Sequence, residues 1–206
     1  MRKFLMTVLI MGSSVTLLAQ EEALKPAYDF SLPREEKIKL ALSAAPPEVS
    51  EKATVYVLER TGYVKVRDGS NGFTCLVDRQ GPLNLEPCCF DAEGSATTVP
   101  VRLYVEEQRA KSKSEEEIAA AIEKGYKSGK FRVPRRPGIV YMMSDYTYLH
   151  IPPNKPLKPP PHLMFYAPYA TDKDIGSPPN VVNMPHVLRA GQPEAYIIVF
   201  AAKPVN

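Results

Sequence analysis

Twelve of the 21 prolines in this 206-residue chain fall between Val133 and Pro185, and three of them, Pro159, Pro160 and Pro161, are consecutive. Proline fixes φ and donates no backbone hydrogen bond, so such a tract excludes long helices and central strands except in the short windows between prolines. Those windows are apolar: Ile139 to Met143, His162 to Ala167 and Val187 to Ala190 read as short strands, and Tyr196 to Phe200 follows as another. The C-terminal half is therefore expected to be strands joined by long Pro-rich loops.

The N-terminal half carries different punctuation. A helix is expected to start around Pro33 with Ser31 as its cap, and Ile38, Ala41, Leu42 and Ala45 keep helical spacing until Pro46 and Pro47. From Ala53 the period becomes two. Thr54 to Glu59, Tyr63 to Arg67 and Phe73 to Val77 are separated by Gly62 and by an Asp68 to Gly72 turn cluster, which reads as an antiparallel meander. Val101 to Lys111 then suggests a helix, although its Val101, Leu103, Val105 alternation also fits a strand. Ser114 and Glu117 form a capping-box pair ahead of Ile118, Ile122 and Tyr126, and Gly129 can end that helix. The resulting expectation is an α+β fold, with antiparallel strands at both ends and two or three helices between them.

The first 19 residues stand apart. Arg2 and Lys3 precede an apolar run, and no acidic residue occurs before Glu21, the pattern of a secretory signal peptide cleaved after Ala19. Residues 20–206 would then form one exported domain, periplasmic or extracellular, with no later segment apolar enough to span a bilayer. Loss of Arg2 and Lys3 leaves 24 basic against 23 acidic residues, a net charge of +1. A nearly neutral domain has no electrostatic case for nucleic-acid binding, and the run from Lys124 to Arg136 reads as a solvated face.

Export gives the three cysteines a meaning. Cys75 with Cys88 or Cys89 closes a loop of about 13 to 14 residues, while adjacent Cys88 and Cys89 are poorly placed to bond each other. No C-x-x-C and no nearby histidine supports a metal at these positions.

None of the common nucleotide, hydrolase or metalloprotease motifs occurs. Three weaker constellations remain. His150, His162 and His186 all lie in the C-terminal half and could build a Zn site at strand ends, although their spacing matches no ligand pattern and no cofactor is expected. Ser144 and Asp145 follow an apolar strand, and with His162 they could form a Ser/His hydrolase centre, against the plainer reading of a turn. Tyr146, Tyr148, Tyr166 and Tyr169 are interleaved with prolines and offer flat faces for a sugar ring or a proline-rich peptide. The plainer reading is that these rings pack on prolines to fix loops, since alternate residues of each strand must face some core.

The segments Asn71-Gly72-Phe73-Thr74-Cys75, Cys89-Phe90-Asp91, Pro161-His162-Leu163-Met164 and Gly191-Gln192-Pro193, with the final apolar Tyr196 to Phe200, resemble a group of uncharacterised exported bacterial proteins. The resemblance implies a single exported domain and a Cys75–Cys89 disulfide, with Cys88 left over. It carries no activity, but it raises His162 and its Pro161 to Met164 segment above the other candidates. The sequence thus points to a non-enzymatic binding or envelope-associated protein whose partner, an envelope component or a small ligand, it does not name, with a metal-dependent or Ser/His hydrolase centred on His162 as the alternative.

Overall fold

A computed structural model describes residues 28–81, 83–150, 155–178 and 184–200. The leader and its cleavage point lie outside the described residues. The chain is a mixed α+β protein: α1 (Arg34–Leu42) and α2 (Pro47–Ser50) precede β1 (Thr54–Glu59), β2 (Gly62–Arg67), β3 (Thr74–Asp78) and β4 (Glu86–Phe90). Then come α3 (Ala92–Ala110) and α4 (Glu115–Lys127), followed by β5 (Ile139–Met142), β6 (His162–Tyr166), β7 (His186–Leu188) and β8 (Tyr196–Phe200).

The two groups of strands are not separate layers. They join edge to edge through β4 and β5, where Cys89 pairs with Tyr141 and Phe90 with Val140, giving one sheet of order β2-β1-β3-β4-β5-β6-β8-β7. The expected meander is also corrected. β1 pairs antiparallel with β2 but parallel with β3, which leaves β2 on the edge and places Val55 beside Cys75. The Asp68 to Gly72 cluster is therefore a crossover rather than a hairpin turn. It is tied down by Ser70 N–H donating to the Lys52 carbonyl and by Asn71 Nδ2 donating to the Val49 carbonyl.

Strand alternation sorts the two faces. Cys75, Val77 and Cys89 face α1, among Tyr28, Ala41, Ala44 and Ala53. Leu76, Cys88, Phe90, Val140, Met142, Met164, Tyr166, Tyr196 and Ile198 face the other way and enclose Val99 of α3 in the largest core cluster. The helix at α1 starts without the expected Ser31 cap. Its N-cap is Pro33, and Ser31 instead bonds the Asp29 carboxylate through both N–H and hydroxyl. α4 has the expected capping box, with Ser114 Oγ accepting from Glu117 N–H and Glu117 Oε2 from Ser114 N–H.

Cys75 and Cys89 are opposite each other in the β3–β4 ladder and form a disulfide with Cα atoms 4.0 Å apart. Cys88 points to the opposite face as a buried free thiol. No described helix is long and apolar enough to cross a membrane.

Candidate functional site

The α3 face of the sheet carries charges that the core must absorb. Arg102, on α3, is 7% exposed and ion-pairs through Nε with Asp78 Oδ2 at 2.9 Å, with Glu194 Oε1 a further 3.8 Å from Nη1. Burial acts to lower the Arg102 pKa, but Asp78 and Glu194 outweigh it and hold the guanidinium firmly charged. Burial likewise acts to raise Glu194, yet Arg102 and Arg189 hold its carboxyl below the ordinary range. From Glu194 the network continues outward. Arg189 Nη1 donates to Glu194 Oε2 at 2.6 Å, Arg189 Nη2 to Gln80 Oε1 at 3.2 Å, and Gln80 Nε2 to Glu86 Oε2 at 3.1 Å. Glu86 also accepts from Gln80 N–H and Asn84 Nδ2. Even so, burial and the nearby Asp78 push its carboxyl up to about 7.

Two cavities lie at the ends of this chain of contacts. The larger, about 660 Å³, opens between α4 and the turn joining β7 to β8, and its wall includes Ile122, Tyr126, Tyr169, Arg189, Gln192 and Glu194. That volume lies in the range of small-molecule sites. Two wall residues, Tyr169 with φ 64° and Arg189 with φ 56°, occupy the left-handed region without being glycine. Strain of this kind is retained where surrounding contacts over-determine the backbone. Here Tyr169 N–H donates to the Gln192 carbonyl, Gln192 N–H to the Arg189 carbonyl and Gly191 N–H to the Ala170 carbonyl, so the two strained residues are cross-tied.

The smaller cavity, about 210 Å³, lies on the same face of the sheet and is bordered by Glu86, Met142, His162, Met164, His186 and Phe200, with Leu149 and Pro159 among its other walls. His162 and His186 pack on opposite neighbours of the sheet against Phe200, with ring centroids 5.6 and 5.8 Å from it. Burial holds the His162 pKa below its ordinary value.

The residues singled out from the sequence separate accordingly. His162 and His186 share the small cavity, whereas His150 is buried nearby with its N–H donating to Asn84 Oδ1 and its Nδ1 without a hydrogen-bond partner among the described residues. Among the described residues, no three His, Cys, Asp or Glu side chains converge to hold a metal ion, so the three histidines do not assemble the Zn constellation. Ser144 does not face His162. Its hydroxyl bonds Ser43 Oγ at 2.7 Å, at the end of α1, and accepts from Tyr146 N–H, while Asp145 is exposed: the turn reading describes both residues.

The tyrosines scatter too. Tyr146 is exposed on that turn, and the backbone of Tyr148 bridges to Leu85. Tyr166 is a core residue, 9% exposed, donating to Asp91 Oδ1 at 3.1 Å, because strand alternation turns it onto the α3 face. Only Tyr169 of the four borders the large cavity. Cys88 is a buried thiol whose pKa is pushed up by burial and then by Asp78 and Glu86, which disfavours the nucleophilic thiolate.

Arg189, Glu194 and Glu86 were not legible as site residues, since their roles depend on strands brought together from distant sequence. Gln192 and Pro193 did leave a signal, as the Gly191-Gln192-Pro193 segment, and Ile122 and Tyr126 as the apolar stripe of α4. Comparison with protein-family models, curated proteins and solved structures finds no match to this chain.

Proposed function

We propose that the mature chain is an exported, non-enzymatic binding protein whose ligand occupies the 660 Å³ cavity between α4 and the β7–β8 turn. The cavity itself carries this reading. It is ligand-sized, its rim is built from strained and cross-tied residues, and its floor is anchored to the interior by the Arg189–Glu194–Arg102 network. Its chemistry is that of a site for a sugar ring. Tyr169 is 58% exposed and offers a flat face, Ile122 and Pro193 supply apolar walls, and Gln192, Arg189 and the Lys127–Glu123 pair supply edge hydrogen bonds.

The hydrolase alternative has less support. A nucleophile and a base must lie within hydrogen-bond reach, and Ser144 is bonded to Ser43 instead of His162. The Cys75–Cys89 disulfide fits an oxidising compartment and so accords with export.

The test is backbone amide NMR of the chain beginning at Gln20, titrated with a panel of mono- and disaccharides. At least one should shift signals clustered at Ile122, Tyr126, Tyr169 and Gln192. Shifts confined to the His162 cavity, or none with any sugar, would overturn the assignment.

A further inference from the structure

The smaller cavity contains a set of donor atoms that the proposed ligand site does not use. His162 and Met164 are two residues apart on β6 and so emerge on the same face, about 7 Å apart along the strand. Met142 of β5 is the direct antiparallel partner of His162, which places their Cβ atoms about 5 Å apart. Met142 and Met164 are diagonal neighbours across the same pair of strands, within reach of long side chains. All three border the 210 Å³ cavity, and they are only 3%, 5% and 4% exposed in the order Met142, His162, Met164. A cation held among them would be almost fully desolvated.

The histidine is also set in one tautomer. Its Nδ1 lies 2.9 Å from the Pro160 carbonyl, which can only accept, so Nδ1 carries the proton and Nε2 presents its lone pair. Metal-ligating imidazoles are oriented in this way, through a backbone carbonyl on the other nitrogen. The carbonyl belongs to the Pro159-Pro160-Pro161 run, whose restricted φ angles hold it in place. His186 borders the same cavity but stands on the far side of Phe200, outside this donor set.

We propose that His162 Nε2 and the Sδ atoms of Met142 and Met164 form a binding site for a soft monovalent cation, specifically Cu(I). Thioether and imidazole donors select Cu(I) over the hard divalent ions. A donor set with no negative charge suits a monovalent ion better than a divalent one, whose desolvation costs far more. This site shares no lining residue with the larger cavity.

The experiment offers Cu(I) to the mature chain as its coloured bicinchoninate complex, without oxygen and with ascorbate as reductant, and reads the loss of colour. One equivalent is withdrawn by the wild-type chain and by Cys88→Ala. Met142→Leu and Met164→Leu keep side-chain volume and hence the fold, and each weakens uptake by at least about tenfold. In a parallel titration with Ag(I) of methyl-labelled Cys88→Ala, the methyl signals of Met142 and Met164 shift while those of Met143 and Met184 stay. Failure to withdraw copper overturns the proposal. So does uptake that survives Met164→Leu but is lost in Cys88→Ala, which would make the thiol the ligand.

Discussion

Glu194 illustrates how a single carboxylate ties the interior to the surface of this protein. It receives Arg189 from the cavity side and Arg102 from beneath α3, and it is 9% exposed. A carboxylate whose folded pKa lies below its ordinary 4.5 contributes stability that is complete above that value and is lost as pH falls through the folded pKa. Glu194→Gln should therefore lower the unfolding free energy at pH 7 by about 3 kcal/mol, since it strands Arg102 with Asp78 alone. The gap between variant and wild type should close as pH falls below 4.5. Urea unfolding at pH 7 and pH 3 measures both, and a gap that stays constant would show that the carboxylate charge contributes nothing. Nothing in the sequence marks Glu194 or Arg102 for burial. Charged residues read locally as solvated, and only their meeting across distant strands makes burial tolerable.

At the scale of elements, strands were more legible than helix boundaries. Tyr196–Phe200 and Gly62–Arg67 announce themselves by alternation or β-branching, but the strand at Glu86–Phe90 contains Pro87 and two cysteines and has no periodic signal. α3 begins at Ala92, well before the apolar spacing that reveals it, because its first turns hold Gly94, Thr97, Thr98 and Pro100, all poor helix formers. Tertiary contacts supply what propensity lacks. Pro100 cannot donate to the Ala96 carbonyl, and Arg132 Nη2 donates there instead at 3.0 Å.

Asp91 is the anchor of the whole junction: Oδ1 accepts from Gly94 N–H at the helix cap and from Tyr166 Oη, and Oδ2 accepts from Ile139 N–H. Gly94 and Gly138 are required beside it, as a Cβ on either would collide with Tyr166 or Asp91. Asp91→Ala should cost about 2–4 kcal/mol, more than an ordinary cap, because it also leaves the Tyr166 hydroxyl buried without its carboxylate. Asp91→Asn, which keeps one acceptor oxygen, should lose less. Equal losses in the two variants by thermal denaturation would contradict this shared-anchor account.

For the molecule as a whole, the proline tract supplies β5 and β6 of the sheet as well as connecting loops, and its tyrosines do not share one surface. Of the tyrosines within it, Tyr166 entered the core, Tyr146 and Tyr148 lie along the Ser144 turn and the strand bridge that follows it, Tyr141 borders a separate cavity beside Ser43 and Pro46, and Tyr169 borders the large one. The α+β class was readable from the alternation of periods. The joining of both strand groups into one sheet, and the parallel β1–β3 pair, were not, because neither depends on local spacing. The disulfide lies near the middle of that sheet and spans 14 residues of sequence. Replacing both Cys75 and Cys89 by alanine should lower stability by about 3 kcal/mol in the chain-entropy picture. A double variant as stable as wild type in guanidinium unfolding would refute this.

The central claim is that a ligand with a flat face binds against Tyr169 in a cavity already formed. Its most direct test is the affinity of the best-binding saccharide for wild type, Tyr169→Phe and Tyr169→Ala, measured by calorimetry. The account predicts that phenylalanine, which keeps the ring, binds within about threefold of wild type, while alanine binds at least about tenfold more weakly, as expected for the loss of roughly 1.4 kcal/mol or more of stacking. Affinity unchanged in Tyr169→Ala would contradict it.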